Sequence, residues 1–295
     1  MASSAASGFT APSGACDCHV HVFPDPLHYP FAAGRRYTPP PASPDALRAL
    51  LDGLGLQRVV VVQPSVYGSD NAATLAGIRA LGPQRARGVA VIEAGTTDAA
   101  LQNLHAAGVR GVRVNLELAG EADPKRAAQQ LQEAAARVAP LGWHVQIYAQ
   151  LPLLAALHAT LQALPVPVVL DHFGGAVAAG GVHQPGFDRL LDLVGSGRVY
   201  VKLSAAYRCS AQAPAFPDMA PLAQALIAAQ PERMLWGSDW PHPDPARPPG
   251  SRFDDVRPPL AVDDGHLLAQ LPHWAGNAAT LHRILVDNPA RLYDF

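Results

Sequence analysis

Eight short runs of β-branched and apolar residues, each followed by a longer stretch rich in Ala and Leu, recur along this chain of 295 residues. Such alternation is the pattern of repeated βα units, which bury a parallel sheet under amphipathic helices. Strands are predicted near 15–21, 59–64, 88–92, 111–116, 144–149, 166–172, 199–204 and 234–239. Helices are predicted over 44–54, 70–81, 97–107, 124–139, 152–164, 186–195, 218–229 and 277–287, with Ser43, Asp70, Thr97 and Asn277 as caps. Eight such units in this length predict one (β/α)8 TIM barrel over 15–295, preceded by a flexible tail at 1–14.

Barrel chemistry sits at the carboxyl ends of the strands, so polar residues there carry the functional argument. Two Pro/Gly-rich stretches, 24–44 and 241–262, follow the first and last strands and are predicted to be neighbouring loops over one mouth. With 49% hydrophobic and 16% charged residues the chain reads as globular. A net charge of -2 without a basic run argues against nucleic acid as a partner, and no apolar run reaches spanning length. Residues 1–14 lack the features of a secretory signal, and three cysteines make a poor disulfide framework, so a cytoplasmic location is expected.

Period-two alternation places Asp17, His19 and His21 on one face of the first strand, with Cys16, Cys18 and Val20 on the other. The histidines then point into the lumen and the cysteines pack outward, which speaks against a Cys/His metal cluster. The same alternation turns Arg113 and Asn115 inward on strand four, and His144, Gln146 and Tyr148 inward on strand five. An arginine inside a barrel calls for an anion: a substrate carboxylate, or a structural Asp or Glu in an internal ion pair. Arg208, just after strand seven, favours the substrate. His172 ends strand six ahead of two glycines, and Asp239 at the end of strand eight is the candidate general base. His144 is expected low in the barrel, and His242 just beyond the mouth.

This arrangement resembles the amidohydrolase superfamily, in the lactonase branch that includes the pyrone-dicarboxylate lactonases. The likeness runs from Asp17-Cys18-His19-Val20-His21 through Arg36-Tyr37-Thr38-Pro39, Gln63-Pro64-Ser65, Gly111-Val112-Arg113-Val114-Asn115 and Trp236-Gly237-Ser238-Asp239-Trp240-Pro241-His242 to Asn288-Pro289-Ala290-Arg291-Leu292-Tyr293. It implies that His19, His21 and His172 polarise a lactone carbonyl, that Asp239 activates water, and that Tyr37, Ser65, Arg113, Tyr148 and Arg208 hold a small anionic lactone. One departure concerns the substrate. Where a second carboxylate-binding arginine would follow strand four, this chain has Ala119.

Superfamily members that hold divalent ions add a lysine on strand four or a histidine on strand five, and here those slots carry Asn115 and Gln146 or Tyr148. No cofactor is therefore expected; if a divalent ion such as zinc were bound, His19, His21 and Asp239 would be its ligands. Two other readings remain open, a zinc-dependent decarboxylase or C–C hydrolase, and a non-catalytic carboxylate-binding barrel.

Overall fold

The computed structural model describes residues 9–246 and 249–295. Among them, eight parallel strands follow one another in chain order: β1 Cys16–Val20, β2 Arg58–Val62, β3 Ala86–Ala90, β4 Val109–Asn115, β5 His144–Tyr148, β6 Val168–Leu170, β7 Val199–Ser204 and β8 Met234–Gly237. Just past β8 the Asp239 N–H donates to the His19 carbonyl at 2.9 Å, and the His21 N–H donates to the Trp240 carbonyl at 2.8 Å. These bonds bring the last strand back to the first and close the expected (β/α)8 barrel.

Valines at alternate positions pack outward against the helices, as Val59 and Val61 do with Leu47 and Leu51 of the helix Pro44–Leu54. That helix starts where Ser43 Oγ accepts from the Ala46 N–H and stops at Gly55, whose φ of 70° ends the regular ladder. Thr97 and Asn277 cap as expected, whereas the 70–81 helix begins at Ala72. The stretch predicted as one helix over 152–164 breaks at Leu157 into Leu151–Ala156 and His158–Ala163. A helix at Asp264–Ala275 was not predicted. Its buried Leu267, Leu268, Leu271 and Trp274 have helical spacing, but Gly265 and Pro272 dilute the signal.

Residues 1–8 of the predicted tail lie outside the described residues. From residue 9 onward the segment differs from that expectation: Phe9 and Ala11 pack on the core, and the Gly14 N–H donates to Gln57 Oε1 at 2.7 Å. At the opposite end of the barrel the two long loops join, with Thr38 Oγ1 donating to the Phe253 carbonyl at 2.8 Å and the Arg257 N–H donating to the Thr38 carbonyl at 3.1 Å. Among the described residues, no helix is long and apolar enough to cross a membrane.

β1 departs from simple alternation. The ladder between β1 and β2 shifts register between Asp17 and Val20, so the two-residue period slips at this point. Cys16 and Cys18 therefore join Val60, Val62, Val169 and Leu235 in the buried floor of the barrel, which corrects their expected outward packing. Asp17 turns away from the histidines and accepts from the backbone N–H groups of His19 (3.0 Å) and Ser238 (3.1 Å). Burial pushes its carboxyl up to about 7.

Backbone geometry after β6 is equally demanding. Gly175 has φ +71°, and a Cβ there would lie 2.5 Å from the Ala149 carbonyl oxygen and 2.6 Å from Leu151 N. Gly175→Ala is expected to destabilise the protein by about 3 kcal/mol, through a left-handed backbone and a clash with main chain that cannot rotate aside. The urea midpoint measures this; an unchanged midpoint would mean that the turn can relax.

Candidate active site

Asp239 occupies the centre of the mouth. It sits one residue beyond Ser238 with φ 66°, and His172 at the end of β6 has φ 49°. Left-handed backbone in residues with a side chain costs energy and collects where function requires an exact orientation. At β6 the consequence is visible: the turn brings both Asp171 and His172 to the lumen, although they are consecutive. Gly237 makes the parallel approach of β8 to β1 possible, since a Cβ there would lie 2.7 Å from His19 Cβ and 2.9 Å from His19 N.

The carboxylate oxygens of Asp239 face different partners. Oδ1 lies 3.4 Å from His21 Nε2 and 3.5 Å from His19 Nε2. Oδ2 accepts from the Tyr207 hydroxyl at 2.6 Å and Arg208 Nε at 2.9 Å, with His172 Nε2 3.9 Å away. Burial raises the pKa of this carboxyl, but the Arg208 guanidinium and the neighbouring imidazoles outweigh burial and hold it well below the usual carboxylate range. Burial pushes His172 down to about 4 and lowers His19 well below its ordinary value, with the Lys202 ammonium adding to the effect on His19. At neutral pH the site therefore offers an ionised carboxylate beside neutral imidazoles at His19 and His172.

Hydrogen bonds orient the rings. His21 Nδ1 lies 2.8 Å from the Val62 carbonyl oxygen, which can only accept, so Nδ1 carries a proton and Nε2 is the nitrogen directed at Asp239. His172 Nδ1 meets Ser204 Oγ at 2.9 Å, and the Tyr148 ring stands edge-on to His172 at 4.9 Å.

His21, His172, Asp239, Tyr37, Ser65, Arg113, Tyr148 and Arg208, all singled out from the sequence, line a single cavity, and buried His19 adjoins it with Nε2 3.5 Å from Asp239 Oδ1. Tyr207, which the sequence reading did not select, donates its hydroxyl to Asp239 Oδ2. Asn115 falls outside this group: its side chain accepts from the Leu118 N–H and caps the short helix Leu116–Ala119. Leu118 of that helix faces the cavity, and Ala119 does not line it. His144 is buried low in β5 against Tyr293, and His242 lies 3.0 Å from Asp264 behind the mouth.

Beneath the cavity is a buried polar layer in which Arg113 and Gln146, both expected to point inward, meet Asp171 and Lys202, which sequence reasoning missed. Asp171 Oδ2 accepts from Gln146 Nε2 at 3.1 Å and from Arg113 Nη2 at 3.4 Å, and Lys202 Nζ donates to Gln146 Oε1 at 2.7 Å. Burial raises Asp171, yet His19 and Lys202 hold it well below the carboxylate range. Burial draws the Lys202 ammonium down while Asp171 pulls it back up. Arg113 thus combines both sequence-based alternatives, an internal ion pair and a place on the cavity wall. A charged residue within the apolar run Tyr200-Val201-Lys202-Leu203 was the available signal for Lys202.

A divalent ion fits by position: the ligand atoms of His19, His21 and Asp239 all lie within 4.8 Å of one another, they are buried, and His19 Nε2 has no hydrogen-bond partner. The charge around them works against it, since Arg208 is 2.9 Å from Asp239 and Lys202 is 3.3 Å from His19.

A closed (β/α)8 barrel with imidazoles on its first and sixth strand ends and a carboxylate on its eighth defines a class of barrel hydrolases. The amidohydrolase family model matches residues 16–295, and the chain belongs to that family. It is 40% identical to a 2-pyrone-4,6-dicarboxylate hydrolase of Comamonas testosteroni, over 97% of this chain and 92% of the relative. It is 36% identical to a 4-sulfomuconolactone hydrolase of Rhizobium radiobacter, over 99% of this chain and 94% of the relative. Among solved structures, a probable 2-pyrone-4,6-dicarboxylic acid hydrolase of Acinetobacter baumannii with citric acid bound aligns with TM-score 0.78 and 28% identity, covering 96% of this chain and 100% of that one.

Proposed function

We propose that this protein is a lactonase that hydrolyses a small lactone carrying one anionic group. The observation that carries the reading is the charge balance of the site: among the described residues, Arg113, Lys202 and Arg208 pair with the carboxylates of Asp171 and Asp239, which leaves one positive charge in excess in and beneath a cavity lined by imidazoles and Tyr37, Ser65 and Tyr148. A carboxylate or sulfonate on the substrate completes that balance, with Arg113 and Arg208 as its partners. The relatives that hydrolyse pyrone dicarboxylates and sulfomuconolactone support the same class. Leu118 rather than an arginine faces the cavity from the segment after β4, which favours a single anion over two.

In the proposed reaction, a water donates a hydrogen to Asp239 Oδ1. His21, whose Nδ1–H is committed to Val62, faces that water and Asp239 through Nε2. Asp239 takes a proton as the water oxygen attacks the lactone carbonyl, and His19 and His172 face the oxygen that gains charge. Asp239 then returns the proton to the departing ring oxygen, yielding a hydroxy acid. In the free protein Arg208 makes Asp239 a weak base; a substrate anion at Arg208 shares its positive charge and restores basicity where the reaction needs it.

This route uses protein groups alone, in keeping with the cations around the candidate ligands. A second reading is favoured by the buried His19, His21 and Asp239 cluster, which would hold a divalent ion to polarise a carbonyl or acidify water. Elemental analysis and activity after chelation separate the two readings. The three buried, unpaired thiols are in keeping with the reducing compartment of a cytoplasmic enzyme.

A pH-indicator assay on pyrone carboxylates, muconolactones and neutral aldonolactones tests the substrate class. Turnover is expected for carboxylated lactones, and failure on every lactone rejects the reading. Arg113→Met is expected to raise KM for anionic lactones by about 10- to 100-fold, the worth of one charge-assisted contact, and to change KM for neutral ones little. Equal effects on both would make Arg113 purely structural.

A further inference from the structure

The two nitrogens of the His19 ring have unlike surroundings. Nε2 lies on the Asp239 side without a hydrogen-bond partner. Nδ1 lies between Lys202 Nζ at 3.3 Å and Asp171 Oδ1 at 3.2 Å. These two neighbours dictate opposite tautomers. An ammonium only donates, so pairing with Lys202 makes Nδ1 the acceptor and puts the ring proton on Nε2. A carboxylate only accepts, so pairing with Asp171 puts the proton on Nδ1 and leaves Nε2 as a lone pair.

Direction decides between them. The contact with Lys202 meets hydrogen-bond geometry, whereas Asp171 Oδ1 has no hydrogen-bond partner despite its proximity. Gln146 anchors both sides of the contest, accepting from Lys202 through Oε1 and donating to Asp171 Oδ2 through Nε2. That grip holds the ammonium in line with Nδ1, while Asp171 Oδ1, 3.2 Å from the ring nitrogen and 3.5 Å from Lys202 Nζ, stays close to both but out of hydrogen-bond alignment.

We propose that Lys202 is a positioning residue that fixes His19 as its Nε2–H tautomer, so that His19 donates a hydrogen bond to a ligand oxygen and is closed to a metal ion at Nε2. Metal-bound imidazoles commonly pass their second N–H to a carboxylate or carbonyl, which points the lone pair at the ion. Asp171 is placed to do this for His19, and Lys202 prevents it. The lysine therefore separates a cavity built for oxyanion stabilisation from a three-ligand metal site assembled from the same residues. The use of the donated bond rests on the lactonase reading; the tautomer does not.

Long-range proton–nitrogen correlation of the histidine rings in the full-length protein at pH 7.5, with His19 assigned from a His19→Gln spectrum, reads the tautomer directly. A protonated Nε2 and an unprotonated Nδ1 are expected, and the reverse pattern overturns the proposal without any lysine variant having to fold. In Lys202→Met, the ring proton is expected to move to Nδ1, and after dialysis against zinc the variant should retain about one equivalent where the parent retains little. A folded Lys202→Met that keeps the parental tautomer, or binds no more zinc than the parent, refutes it. Where lactone turnover is measurable, kcat should fall about 100-fold with KM little changed, as for loss of one oxyanion donor; an effect confined to KM counts against the donor role. Since tautomer and zinc content do not depend on turnover, a protein inactive on lactones would defeat the functional reading and still test this one.

Discussion

Asp239→Asn is expected to lower kcat on a carboxylated lactone by about 1000-fold or more, within the range found for loss of a general base, while ligand binding survives. The amide keeps the shape of the carboxylate but cannot take a proton from water. It also leaves Arg208 without its anion, so a non-reacting carboxylate should bind as well as before or more tightly. Steady-state kinetics together with calorimetric titration of the ring-opened product measures both effects. Near-parental kcat would remove Asp239 from the reaction, and lost binding with lost secondary structure would show instead that the ion pair mainly holds the mouth together. That possibility has weight, because breaking one side of a buried pair costs about 3–5 kcal/mol.

Acidification is the second large effect, and it should begin well above the carboxylate range. Burial holds His172 at about 4 and His144 at about 3, and it also lowers His19, whereas an unfolded chain protonates its histidines near 6.5. Between pH 6.5 and 4 the unfolded state binds more protons at these positions, so stability falls as pH falls. His172 alone accounts for about 3 kcal/mol across that window. Asp17 works in the opposite sense: with its folded pKa raised to about 7, it binds a proton in the folded state first and gains stability on acidification. One group of this kind offsets part of the loss from three histidines. Below the ordinary carboxylate range, protonation of Asp171 and Asp239 removes still more. Urea midpoints at pH 7.5, 6.0, 5.0 and 4.5 should decline steadily; a flat series would contradict the neutral burial of these rings.

Much of the site was legible before any coordinates. His19, His21, His172, Arg113, Tyr148, Arg208 and Asp239 could be picked out because barrel strands end at one mouth, so a polar residue at a strand end has few places to go. Tyr37 and Ser65 came from resemblance alone, since both lie in loops without a periodic signal. Asp171 and Lys202 were hidden for different reasons. Asp171 directly precedes His172, and strand alternation puts consecutive residues on opposite faces; the left-handed turn at that histidine brings both inward. Lys202 was visible as a charge in an apolar strand, but its partners come from β1, β5 and the end of β6.

By itself, the sequence determined the number of strands, their parallel order and the end of the barrel that carries the polar residues. Those properties follow from hydrophobic periodicity and from short connections, which are local along the chain. Tertiary structure alone decided which side chains face one another: the register slip in β1 that turns Cys18 inward and Asp17 away, the left-handed residues at His172 and Asp239, and the layer of Lys202, Gln146 and Asp171 under His19. A shift of one residue reverses the direction of a strand side chain, and whether it occurs depends on contacts with strands distant in sequence.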